Sequence, residues 1–198
     1  MKRILIALVV VLGSGLWLLP SVAMGQQPLV IKPLAEKKVA ELPAGSLFWR
    51  IENFSSRAQT EAAAGPWSLI AESAGKVWVF TLGPAGGSSA GGTKVTELGP
   101  IPRIVAPQYL LRINEASGPP GSITPVHTHP GSEAFFVLVG EQSIRSQHGE
   151  IRVKVGQAEA GHGADIPMQV SSGSADLHAL VMFVVDATKP FSSPATFP

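Results

Sequence analysis

The sequence predicts an all-β fold in a single domain, and three observations support this prediction. The chain has 198 residues with 21 glycines and 17 prolines, so turns are frequent. Its second half is a series of short apolar runs divided by Gly, Pro, Ser and Asp. No helical stripe is long enough to cover a parallel sheet, which favours an antiparallel sandwich or barrel. A core of this size needs no disulfide, and the absence of cysteine excludes thiol chemistry and Cys-ligated zinc.

The first 25 residues are typical of a secretory signal peptide. Lys2 and Arg3 precede an uncharged apolar run over residues 4–19, which Pro20 ends. This run is shorter than the ~20 residues that a membrane-spanning helix needs, so an uncleaved anchor is the weaker alternative. We therefore expect a secreted or periplasmic protein with no membrane segment after cleavage.

The charge of the remaining chain argues against a nucleic-acid partner. Without Lys2 and Arg3, the 15 basic residues become 13, against 14 acidic ones. A nucleic-acid-binding surface would need a cationic excess. A small molecule is the partner that we expect instead.

Residues 26–65 are predicted to form an N-terminal arm. The segment is polar and punctuated by prolines, with a short helical possibility at 34–42. Residues 46–52 mix aromatic and β-branched side chains and predict a strand. The Ala- and Ser-rich stretch 55–65 predicts irregular structure or a brief helix.

The next segment predicts a β-hairpin. Residues 67–71 and 76–82 are strand-like and flank the turn-like sequence at 73–75. Residues 83–92 are nearly all Gly, Ser, Ala and Pro, and predict a loop.

The second half supplies the strands of a barrel over residues 66–186, followed by a C-terminal tail at 187–198. The runs that predict these strands are 109–114, 123–128, 133–139, 142–145, 151–155, 168–171 and 177–185.

Three side chains in this half form a candidate metal site. Residues two apart in a strand project from the same face, so His127 and His129 can aim both imidazoles at one point. Glu133 opens the next strand. Two neutral imidazoles and one carboxylate leave open coordination positions and suit Fe, Mn, Ni or Zn better than calcium.

The spacing Gly121-x5-His127-x-His129-x3-Glu133-x6-Gly140 resembles the first signature motif of the cupin superfamily. The resemblance covers roughly residues 67–186. It implies a double-stranded β-helix, or jelly-roll barrel, with one divalent transition metal bound by the two histidines and the glutamate.

The second cupin motif is degenerate. In the frame that begins at Gly156, His162 stands in place of the motif proline, Pro167 in place of the ligand histidine and Ser171 in place of asparagine. Gln169, two residues after Pro167, could offer an amide oxygen as a fourth ligand. His162, from the preceding turn, and a water molecule are the alternatives.

Two further residues are candidates for binding a substrate. Arg112 alternates with apolar neighbours and would clamp a carboxylate if it faced the cavity, although an exposed sheet face is the simpler interpretation. Tyr109, the only tyrosine, is considered on the same terms.

The leading hypothesis is an exported cupin that binds one divalent metal and a small organic molecule. The metal would support oxygenase or isomerase chemistry, with no obvious general base. A non-catalytic ligand- or metal-binding barrel is the first rival, including a barrel that has lost its metal. The second rival is a structural barrel that forms a homodimer through residues 26–44 or 46–52.

Overall fold

A computed structural model describes residues 27–198 of the chain. The predicted signal peptide, residues 1–25, lies outside these described residues, so export stays a prediction. Within residues 27–198, no helix is long and apolar enough to cross a membrane.

The described chain consists of fourteen β-strands and one short helix. In chain order they are β1 (Val30–Val39), β2 (Leu47–Phe54), α1 (Arg57–Ala63), β3 (Ser68–Ser73), β4 (Lys76–Gly83), β5 (Thr93–Ile101), β6 (Tyr109–Gly118), β7 (His127–Thr128), β8 (Gly131–Val139), β9 (Glu141–Ser146), β10 (Gly149–Lys154), β11 (Ala158–Ala160), β12 (Met168–Ser172), β13 (Leu177–Asp186) and β14 (Ser193–Pro194).

The strands form three sheets, and those within each sheet pair antiparallel. The middle sheet has the order β1-β6-β13-β8-β11, the mouth sheet β10-β9-β12-β7-β14 and the outer sheet β3-β4-β2-β5. The predicted all-β, antiparallel jelly-roll class is confirmed by this arrangement.

Apolar clusters lie on both faces of the middle sheet. One cluster, with Phe135 and Ile144, fills the barrel between the middle and mouth sheets. The other, with Leu111 and Trp49, joins the opposite face to the outer sheet. This position explains the nearly unbroken apolar run of β13, because a strand that is covered on both faces has no polar side.

Local sequence signals account for several elements. Ala74 and Gly75 join β3 to β4 with φ angles of 51° and 69°, the left-handed conformation of a tight two-residue hairpin turn. Ser56 caps α1 by accepting a hydrogen bond from the Gln59 backbone N–H. The predicted hairpin and the brief helix are thus confirmed.

The helical possibility at 34–42 is wrong. Residues 30–39 form β1 instead, which pairs with β6 along its length at the edge of the middle sheet. Pro33 is accommodated because an edge strand needs fewer N–H donors, and the register shifts between Pro33 and Ala35. The predicted homodimer stays a prediction.

The last twelve residues close one end of the barrel. Residues 193–194 pair with β7, opposite Thr128 and His127. The segment predicted as a tail is thus part of the mouth sheet, and it brings Phe191 against the barrel core.

Candidate functional site

A cavity of about 400 Å³ lies inside the barrel and reaches the predicted ligands. Most of its wall is apolar and includes Phe135, Val170, Val181, Phe183 and Phe191. Its polar side chains are those of Asn114, Thr124, His127, His129, Glu133, Gln142 and Ser192. The cavity is thus a concave, mostly apolar pocket with a few polar groups, which is the usual form of a small-molecule site.

The two histidines are held with the same tautomer. His127 donates its Nδ1–H to the carbonyl of Pro125 at 2.8 Å, and His129 donates its Nδ1–H to the carbonyl of Phe191 at 2.6 Å. Because a carbonyl can only accept, each Nε2 carries the lone pair. The rings lie 5.0 Å apart between centroids, nearly perpendicular. Such backbone tethers are typical of histidines that bind metals.

Glu133 lies opposite Phe183 near the start of β8 and is 2% exposed. Its Oε2 is 4.0 Å from the Nε2 of His129, whereas its buried Oε1 has no hydrogen-bond partner. A buried carboxyl oxygen without a partner is costly, and it is therefore a group that a ligand or ion can stabilise.

Burial sets the protonation states of this pair. It raises the pKa of Glu133 to about 8. It lowers the pKa of His129 to about 4, against the opposing hydrogen bond to Phe191 and with smaller electrostatic contributions from His127 and Arg112. Both groups are therefore neutral near pH 7.

The three predicted ligands share one end of the cavity, but they do not close around a point. Their donor types suit a divalent transition metal. Within residues 27–198, however, no group of three or more His, Cys, Asp or Glu side chains is placed to hold a metal ion. The chemistry of the donors fits such an ion, and their present spacing does not.

Gln169 does not reach the cavity. β12 begins at Met168, so Met168 and Val170 point into the barrel and Gln169 takes the opposite face. Its Nε2 donates to the carbonyl of Thr124 at 3.2 Å. The sequence prediction took Pro167 as an inward residue, which made Gln169 inward too. The inward residues are instead Met168 and Val170.

His162 also lies outside the cavity lining. Its ring centroid is 6.3 Å from that of His148, on the side of the β9–β10 turn. Burial lowers its pKa, with a further contribution from His148, and its buried Nε2 has no hydrogen-bond partner. The His162 carbonyl accepts the Glu133 N–H at 3.4 Å, but neither candidate fourth ligand lines the cavity.

The two candidate substrate residues lie behind the cavity wall. The guanidinium of Arg112 stacks 4.3 Å from the centre of the Phe191 ring, and its Nε donates to Asn114 at 2.9 Å. Arg112 is thus partly buried rather than on an exposed sheet face. Tyr109 packs against the cluster beneath the outer sheet, and its hydroxyl accepts from the Ala106 N–H at 3.4 Å.

Sequence reasoning missed several residues that line the cavity, among them Gln142 and Phe191. Gln142 alternates with buried Ile144 in β9, so the period of two could have placed it inside. Phe191 has no such signal, because it follows the last long strand in an irregular segment.

Comparison with known proteins gives structural neighbours only. No family model matches the chain, and no curated protein matches it. The DMSP lyase DddQ from Ruegeria pomeroyi DSS-3 is 24% identical, with 43% of each chain covered and a TM-score of 0.39. The match thus spans less than half of that lyase.

Two other similar structures are described as cupins. A cupin superfamily protein from Desulfitobacterium hafniense DCB-2 is 17% identical over 38% of this chain and 68% of its own, with a TM-score of 0.35. A cupin-like protein from Thermotoga maritima msb8 is 12% identical over 44% and 65%, with a TM-score of 0.39. Each of these similarities covers less than half of this chain.

Proposed function

We propose that the barrel binds one small organic molecule, next to a divalent transition metal that is held by His127, His129 and Glu133. The single observation that carries this proposal is the Glu133 carboxyl group, which is buried at the end of a 400 Å³ cavity with Oε1 unpartnered. Folding alone gives no reason to keep such a group, because an apolar side chain would pack there at less cost.

The orientation of the histidines supports the metal part of the proposal. Both present Nε2 lone pairs, because both Nδ1–H groups are engaged by backbone carbonyls. His129 and Glu133 approach within 4.0 Å, so these two side chains would hold the ion together with His127. Binding would require the donor atoms of the three side chains to draw closer together than they are in this structure.

A bound transition metal would supply Lewis-acid polarisation of the organic molecule or activation of dioxygen. The chain's own residues would bind, orient and exclude water. The apolar wall formed by Phe135, Val181 and Phe183 desolvates whatever lies beside Glu133. Oxygenase or isomerase chemistry is the activity that we propose on this basis.

Metal content tests the proposal directly. Protein purified without chelator and then loaded with Mn, Fe, Ni or Zn should hold about one ion per chain by elemental analysis, and its melting temperature should rise by several degrees. His127→Ala and Glu133→Ala should lose both responses while circular dichroism shows an intact fold. His148→Ala, which removes an exposed histidine, is the matched control.

A stoichiometry near zero, with an unmoved melting temperature for all four metals, would reject the metal site. The cavity would then be a site for the organic molecule alone.

A non-catalytic binding barrel is the second candidate, and one observation favours it. The inward positions of β12 belong to the apolar Met168 and Val170, so the strand that holds the degenerate motif supplies no ligand. Oxygen uptake by the metal-loaded protein over phenols, diketones and carboxylates separates the two. Turnover of any of them supports the enzyme, and binding without turnover supports the binder.

A further inference from the structure

Gln142 is a polar residue of the cavity wall that lies on a different sheet from Glu133. Glu133 lies near the start of β8, whereas Gln142 follows the Gly140 turn at the opposite end of that strand. Both side chains line the same cavity. Phe135 and Val181, paired across β8 and β13 in the middle sheet, and Val170 from the mouth sheet supply the apolar wall between them.

The amide of Gln142 is buried without a partner. The residue is 0% exposed, and neither its Nε2 nor its Oε1 makes a hydrogen bond. The facing residue, Ser172, is already engaged, because its hydroxyl donates to the carbonyl of Pro119 and accepts from the Ser122 N–H. No group of the described residues completes the amide, and Gln142 lines the cavity.

An unpartnered buried amide destabilises the protein unless something in the cavity completes it. The chain offers an internal contrast, since Gln169 on the next strand donates to Thr124. A primary amide presents donors and an acceptor side by side. Its complement is a group that offers one acceptor and one donor in the same plane.

The charges around the cavity also restrict which chemical groups can bind beside Gln142. Among residues 27–198, the ionisable side chains that line the cavity are those of His127, His129 and Glu133, and no lysine or arginine lines it. Arg112 does not line the cavity, and its guanidinium is held against Phe191 and Asn114. An ionised group beside Gln142 would thus be desolvated without a counter-charge, which disfavours it.

We propose that Gln142 is a specificity-determining residue that binds an uncharged carboxamide or un-ionised carboxylic acid group at the end of an elongated, otherwise apolar ligand. This inference rests on the proposed function, because it names the chemistry of the organic molecule in the same cavity. The opposite end of that molecule would lie beside Glu133.

Benzamide and ethylbenzene are matched probes for this group. The two are similar in size, and only benzamide carries an amide. Gln142→Met should weaken benzamide binding relative to ethylbenzene by about tenfold, measured as dissociation constants by calorimetry. Gln169→Met, which removes a glutamine outside the cavity, is the matched control and should leave the ratio unchanged.

The unaltered chain gives a second measurement that needs no variant. Acetophenone keeps the carbonyl acceptor of benzamide but lacks its N–H donors, so it should bind several-fold less tightly than benzamide. An unchanged ratio in Gln142→Met, equal affinities for acetophenone and benzamide, or failure of every probe to bind would each overturn the inference. Metal content of Gln142→Met should equal that of the unaltered chain, so loss of the metal site and loss of amide recognition are distinguishable.

Discussion

Two histidine–carboxylate pairs lie on opposite faces of the middle sheet, and they differ in every respect that matters for function. Inside the barrel, His129 and Glu133 stand 4.0 Å apart, and Glu133 keeps one oxygen unpartnered. Beneath the outer sheet, His178 and Glu115 approach to 2.9 Å, and the hydroxyl of Ser73 contacts both.

The pKa values of the two carboxyl groups are shifted in opposite directions. Burial raises the pKa of Glu133 to about 8, and no neighbouring group offsets it. Burial also acts to raise the pKa of Glu115, but hydrogen bonds from Ser73 and His178 outweigh it and hold the pKa below the ordinary value. Near pH 7 the carboxyl group of Glu133 is thus neutral, and that of Glu115 is ionised.

The contrast separates a structural pair from a site. The outer pair has satisfied its hydrogen bonds within the chain and contributes to folding. The cavity pair has unused capacity, which is available to a ligand or an ion.

The largest expected effect that distinguishes the two pairs is on stability. Glu115→Ala should lower the free energy of unfolding by about 1–3 kcal/mol, because Ser73 and His178 lose a charged partner. Glu133→Met should leave the ligand-free protein as stable or make it more stable at pH 7. Urea denaturation measures both.

If Glu115→Ala and Glu133→Met lowered the free energy of unfolding equally, the distinction between the two pairs would be wrong. The cavity carboxyl would then be part of the folding core rather than a site.

The next largest effect is a pH dependence confined to the cavity pair. Glu133 holds its proton up to about pH 8 in the folded chain but only to about 4.5 when unfolded, so its contribution is complete at low pH and is lost as the pH rises to 8. His129, lowered from 6.5 to about 4, makes stability rise between those values. Above pH 6.5, Glu133 is the member of this pair that still makes stability change with pH.

In chelator-treated protein, the unaltered chain should therefore lose about 1–2 kcal/mol of stability between pH 6.5 and 8, relative to Glu133→Gln. Glu115→Gln is the matched control. The pKa of Glu115 is lowered, so its contribution is complete above about pH 4.5 and its removal leaves this window unchanged. A slope that persists in Glu133→Gln would contradict the assignment.

The sequence could predict the cavity pair, His129 and Glu133, because side chains alternate strictly between the two faces of a strand. Two-residue spacing places His127 and His129 together, and alternation along β8 turns Glu133 and Phe135 inward. The same rule fails where a strand ends, since Val139 lies an even number of residues from Glu133 and Phe135 but is 49% exposed.

Other features depend on contacts that no local pattern records. β1 is polar and carries a proline, so its residues suggest an arm until pairing with β6 defines the strand. Phe191 reaches the cavity only because residues 193–194 pair with β7. The outer histidine–carboxylate pair and the Ser73 hydroxyl join three strands, and Ser73 and His178 are 105 residues apart in the sequence.

The smallest expected effect is the loss of stability when the Ser73 hydroxyl is removed from the outer pair. This hydroxyl lies 2.5 Å from Glu115 and 3.0 Å from His178, so Ser73→Ala should cost about 1 kcal/mol. Ser192→Ala, at an exposed serine on the cavity rim, is the matched control and should stay within about 0.5 kcal/mol of the unaltered chain. Since Ser73 also lowers the pKa of Glu115, Ser73→Ala should raise the midpoint of acid unfolding, and an unmoved midpoint would show that the hydroxyl does not stabilise the ionised carboxylate.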